Sequence, residues 1–122
     1  MPSDHSGVIQ TLKIVSGEIY DDDWVTPELT LKPMDGFDGR TLELTFWNPD
    51  FSVAHLHNSI SATLGGRVAS QGNIRSGQTV TITADFDTDY EELEVKISSY
   101  LEEASYDQRK RAMKLVSAKW LS

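Results

Sequence analysis

The densest group of ligand-type side chains is the acidic turn Glu18-x-x-Asp21-Asp22-Asp23. Adjacent carboxylates and backbone carbonyls suit calcium, a hard cation that takes oxygen ligands. The turn lacks the alternating ligands and central glycine of an EF-hand, and turn Asp side chains also bond nearby backbone amides. Two readings follow: a calcium ion on Asp21, Asp22 and Asp23, or a solvated turn. A second chemistry is sugar recognition, which pairs a flat aromatic face with polar groups for the hydroxyls. The aromatic candidates are Tyr20, Trp24, Trp47, Phe51, Tyr90, Tyr100 and Tyr106. Trp47 has the opposite strand parity to Leu42, Leu44 and Phe46, so a regular strand turns its ring outward. Asn48 and Asp50 follow it. Any ligand site is therefore expected at Trp47, Asn48, Asp50 and the Tyr20–Trp24 turn, although either tryptophan could instead cover the core.

Other reactive groups are less organised. His55 and His57 would share a strand face, but a zinc site needs a third ligand and His5 is remote. Arg109-Lys110-Arg111-x-x-Lys114 is a basic cluster in an acidic chain, suited to an acidic partner or anionic glycan, or to solvent. No Gly-x-Ser-x-Gly elbow and no phosphate-binding glycine motif occurs. Acidic residues are plentiful, but nothing implies a cleft opposing two of them for glycoside cleavage. A non-enzymatic role is expected, with no cofactor other than calcium.

The 122 residues are 39% hydrophobic and 25% charged, enough for one domain spanning 1–122, with 1–7 a flexible tail. Eleven Lys and Arg stand against 19 Asp and Glu, a formal charge of -8. That balance argues against nucleic acid, which requires a basic face, and against anionic lipid. There is no cysteine, so disulfides, thiolate metal sites and a Cys nucleophile are excluded. No apolar run approaches the ~20 residues that span a bilayer, so no membrane insertion is expected. The polar N-terminus has no signal-peptide hydrophobic region, and the expected location is cytoplasmic.

The elements that must position these side chains read with period two. Thr41–Trp47 sets Leu42, Leu44 and Phe46 against Thr41, Glu43 and Thr45, a half-buried antiparallel strand. Runs at 8–19, 28–32, 79–86 and 91–98 alternate likewise, with Leu12 and Ile14 on one face of the first. The expected core includes Val80, Ile82, Leu93, Val95 and Ile97. Gly65-Gly66 divides Asn58–Leu64 from Arg67–Gln71 and predicts a tight hairpin. Residues 112–121 fit both periods: Ala112, Leu115, Val116 and Trp120 share a helical face, while Val116, Ala118 and Trp120 alternate. A strand there would complete an even-numbered sandwich. The expected fold is all-β, an antiparallel seven- or eight-stranded sandwich, jelly-roll-like.

The stretch Gly17 to Leu31, with its Tyr-acid-x-Trp-x-x-Pro turn, resembles a small β-sandwich accessory domain found beside bacterial glycosyltransferases of surface-polysaccharide synthesis. The similarity continues through Leu42–Pro49, Asn58, Gly65-Gly66, Gly77–Val80 and Asp107–Arg109 to Trp120. It implies a jelly-roll-like sandwich in a glycan context. The resulting expectation is a non-catalytic accessory or carbohydrate-binding module, whose partner is a glycan or a glycosyltransferase region of a parent or neighbouring chain. The alternative is a structural module that docks another protein without any glycan.

Overall fold

The computed structural model describes residues 10–20, 23–34, 40–50, 56–86, 91–98 and 111–121. These form β1 (Leu12–Ser16), β2 (Trp24–Val25), β3 (Glu28–Pro33), β4 (Arg40–Trp47), β5 (His57–Leu64), β6 (Arg67–Arg75), β7 (Thr79–Phe86), β8 (Leu93–Ile97) and β9 (Met113–Leu121). All strand pairings are antiparallel. One sheet has the order β1-β3-β8-β5-β6, the other β2-β9-β4-β7. Successive strands change sheet except at the β5–β6 hairpin. With β1 set aside, 2-9-4-7 facing 3-8-5-6 is the order of an eight-stranded jelly roll built from two Greek keys. The expected architecture is present, and β1 adds a ninth strand at the outer edge of β3.

The core follows the alternation. Leu42, Leu44 and Phe46 of β4, Ile82, Ala84 and Phe86 of β7, and Leu93, Val95 and Ile97 of β8 are buried together, with Val80 half-buried against them. Each such large side chain contributes about 1.5–3 kcal/mol on leaving water. Gly65 and Gly66 take φ of +58° and +86°, and Leu64 pairs with Arg67, so the predicted hairpin is present. Positive φ at both positions matches the twist of the flanking strands.

Two elements depart from the sequence reading, and a third settles an ambiguity in it. In β1, Leu12 is buried but Ile14 is not, because β1 is an edge strand that bulges between Ile14 and Ser16. Residues 113–121 are a strand paired with both β4 and β2. A register shift opposite Thr45/Phe46 sets Val116 and Ser117 both outward, so the inward set runs Met113, Leu115, Ala118. That spacing of three mimics a helix. Finally, β2 is two residues long and exists through its pairing with β9.

Gly17 shapes the approach to β2. Its φ is +81°, and a Cβ there would overlap the Glu28 carbonyl oxygen and lie 2.7 Å from Thr26 Oγ1. Thr26 Oγ1 accepts from Glu18 N at 2.9 Å and donates to Glu28 O at 2.7 Å, which closes the excursion between β1 and β3. At the other end of the sandwich Trp120 Nε1 donates to Thr11 Oγ1 at 2.8 Å, and its ring lies 6.0 Å from that of Phe86.

Candidate functional site

The register of the four-stranded sheet sets four side chains in one row. Trp24 of β2 is opposite Lys114 of β9, Lys114 is opposite Trp47 of β4, and Trp47 is opposite Thr79 of β7. Directly paired residues share a face of a sheet. The flanking Val25, Met113 and Phe46 are in the core, so the row points away from it. Trp47 is half-buried on this outer face, as its parity predicted. Trp24 is 7% exposed yet stands outside the core cluster, with the Arg111 guanidinium 5.6 Å from its ring centre. That geometry permits a cation–π attraction. The basic cluster seen in the sequence thus supplies Arg111 and Lys114 to the tryptophans, while Arg109 and Lys110 lie outside the described residues.

Beyond this row the outer face becomes a wall of hydroxyls and charges. Thr45 and Thr81 bond each other at 3.1 Å, Thr41 donates to Asp85, and Lys119 meets Glu43 at 3.3 Å. The threonines come from the polar parity of β4 and β7, where β-branched side chains suit a pleated, half-wet surface. The face therefore runs from an aromatic, cationic end to a hydroxyl-rich middle.

The turn before Trp24 is anchored to this edge. Tyr20 N donates to Trp24 O at 2.8 Å, and Asp23 N to Tyr20 O at 2.9 Å. Asp23 has φ of +73°, and its carbonyl accepts from Leu115 N at 2.8 Å. Tyr20 is half-buried beside it. Asp21 and Asp22 lie outside the described residues, so the calcium triad is represented by Asp23 alone. Among the described residues no group of three His, Asp or Glu could hold a metal ion.

Asn48, expected beside Trp47 as an open hydrogen-bonding group, is fully buried. Its Oδ1 accepts from Asn58 Nδ2 at 3.0 Å, and its backbone closes the β6–β7 turn through Gln78 O and Gly77 N, each at 2.8 Å. Asn58 Oδ1 in turn accepts from Ser59 N at 2.9 Å and Ser98 Oγ at 3.0 Å. Asn48 thus ties β4, β5 and β7 together rather than facing solvent, because an interior amide must find internal partners. Nothing in local spacing announced this, since Asn58 and Ser98 are remote in sequence. Asp50 is exposed and lies against Gly77.

Behind that turn is a groove of about 610 Å³, lined by His57, Asn58, Asn73, Arg75, Gln78 and Ser98 among others. His57 is exposed here and pairs in register with Arg75. His55, Phe51, Tyr90, Tyr100 and Tyr106 lie outside the described residues.

No family model matches the sequence, and no curated protein does. Solved structures align over most of this chain. A carbohydrate-binding module, CBM36, in complex with calcium and xylotriose superposes with a TM-score of 0.45 at 10% identity, covering 92% of this chain and 95% of that one. An acetyl xylan esterase from the rumen bacterium Butyrivibrio proteoclasticus gives 0.42 at 10% identity, over 89% of this chain and 28% of the esterase. An exo-beta-1,3-galactanase from Phanerochaete chrysosporium, with beta-1,3-galactotriose, gives 0.41 at 11% identity, over 91% and 26%. The chain spans little more than a quarter of the length of either enzyme.

Proposed function

We propose that the protein is a non-catalytic carbohydrate-binding module whose glycan lies on the outer face of the four-stranded sheet. The observation that carries this reading is Trp47 in the row Trp24–Lys114–Trp47, an indole kept half-buried on the outer face of a sandwich whose core is filled without it. Placing Trp47 in the core would have removed more apolar surface from water, so its outward ring suits a surface that acquires a partner. Trp47 offers the stacking face. Trp24, under Arg111, braces the edge. Lys114 and Thr79 donate to ring hydroxyls, and Thr45 and Thr81 extend the polar track.

In this reading the module works in the cytoplasm and serves polysaccharide synthesis beside a glycosyltransferase, the latter context being supported by the sequence resemblance. Calcium on the Asp21–Asp23 turn belongs to the same reading. Thermal denaturation with calcium and with EDTA tests it, and an unchanged midpoint removes calcium from the proposal.

Titration with neutral oligosaccharides, followed by tryptophan fluorescence, tests the function. Saturable quenching that disappears in Trp47→Ala is the expected result. The rival role, docking of another protein, draws on the edge strand β6, where Val68 is 68% exposed. A stable protein partner together with no response to any sugar would favour that rival.

A further inference from the structure

The groove at the end of β5 and β6 has an uneven inventory of hydrogen-bonding groups. Three of its acceptors are engaged from inside. Asn58 Oδ1 takes Ser59 N and Ser98 Oγ, Ser98 Oγ takes Ser59 N at 3.0 Å, and Gln78 Oε1 takes Arg75 N at 3.0 Å. Its donors are not. The Arg75 guanidinium has no carboxylate partner among the described residues, and the Gln78 amide nitrogen has no acceptor among them. The backbone of Arg75 is fixed in place, since Gln78 N returns a bond to its carbonyl at 3.2 Å. Asn73 and His57 can each donate or accept, and no Asp or Glu among the described residues lines the groove.

A guanidinium is always charged and presents a planar fork of donors that matches a carboxylate. Donors without internal acceptors select a ligand rich in acceptors and negative charge. The volume falls within the range of small-molecule sites, about 300–1,000 Å³. This local chemistry runs against the chain as a whole, whose formal charge is -8.

We propose that this groove is a subsite for the carboxylate of an acidic sugar, a uronic acid residue, held by Arg75 with Gln78, Asn73 and His57. It is separate from the Trp47 face, but the Asn48–Gln78 and Asn48–Asn58 bonds place it behind the same end of β4. A chain laid on the tryptophan face could therefore continue over the β6–β7 turn into it.

The test is titration of the protein with trigalacturonate and triglucuronate, and with their methyl esters, which keep the sugar skeleton and lose the charge. Amide and side-chain NMR shifts locate the contact. The expected result is shifts at Asn73, Arg75 and Gln78 with at least one of the two acids, binding at least tenfold weaker for its ester, and a tenfold or greater loss in Arg75→Gln. Arg75 is exposed, so this variant keeps the fold. Trp47→Ala should retain the groove shifts while losing neutral-glycan binding, which separates failure of this subsite from failure of the tryptophan face. Equal binding of acid and ester, no binding of either acid, or an unaltered Arg75→Gln would overturn the proposal. So would displacement by inorganic sulfate at equal concentration, which would mark a site for simple anions.

Discussion

Trp24 and Trp47 stand on opposite sides of Lys114, one strand away from it in each direction, on the face of the sheet that the core does not use. Each indole is in register with the same lysine, yet the two differ in exposure: Trp24 is buried under Arg111 and Trp47 is half-buried. The difference assigns support to one ring and contact to the other, and it separates their mutational effects.

Trp47→Ala should cost less stability than Trp24→Ala and weaken glycan binding by about 1 kcal/mol or more, roughly fivefold at the least. Calorimetric titration of parent and variant measures it. Unchanged affinity in a folded variant would remove Trp47 from the site.

Trp24→Ala should act first on folding. Its ring is almost wholly covered, so truncation leaves a void and exposes the β2–β9 pairing. A loss of about 2–4 kcal/mol is expected, toward the low end for large aromatic truncations because the ring stands outside the central cluster. Urea denaturation gives the value.

Gly17→Ala should be as costly although it adds a single methyl group. The residue needs φ of +81°, and the new Cβ would overlap the Glu28 carbonyl. About 2–4 kcal/mol is expected, from the left-handed backbone together with the forced displacement. A midpoint within experimental error of the parent would contradict the geometry.

Asn48→Ala should cost about 1–3 kcal/mol, because it leaves Asn58 Nδ2 without its acceptor in the interior. Asn58→Ala should be destabilising as well. The double variant should fall short of the sum, since both changes remove the same bond. Strict additivity would show that the two amides act independently.

Much of the fold was legible because a half-buried strand repeats every two residues, and that pattern is local. Leu42, Leu44 and Phe46 declared their face, the parity of Trp47 declared the opposite one, and Gly65-Gly66 declared a turn that side-chain-bearing residues enter at a cost. The β9 strand stayed ambiguous for an equally local reason: one bulge changes a spacing of two into three, and the residues then satisfy a helix as well.

What the chain order determined by itself was thus the class of fold, the inward set of each long strand and the outward direction of one tryptophan. Tertiary structure alone decided which side chains meet. Trp24 and Trp47 are 23 positions apart, and Lys114 is 67 positions beyond Trp47; they share a row because β9 inserts between β2 and β4. Asn48 looked like an open polar group beside an aromatic, and became an interior tie once Asn58 arrived beside it from the other sheet. Pairing between remote strands depends on the closing of the whole sandwich, and no short-range pattern encodes that.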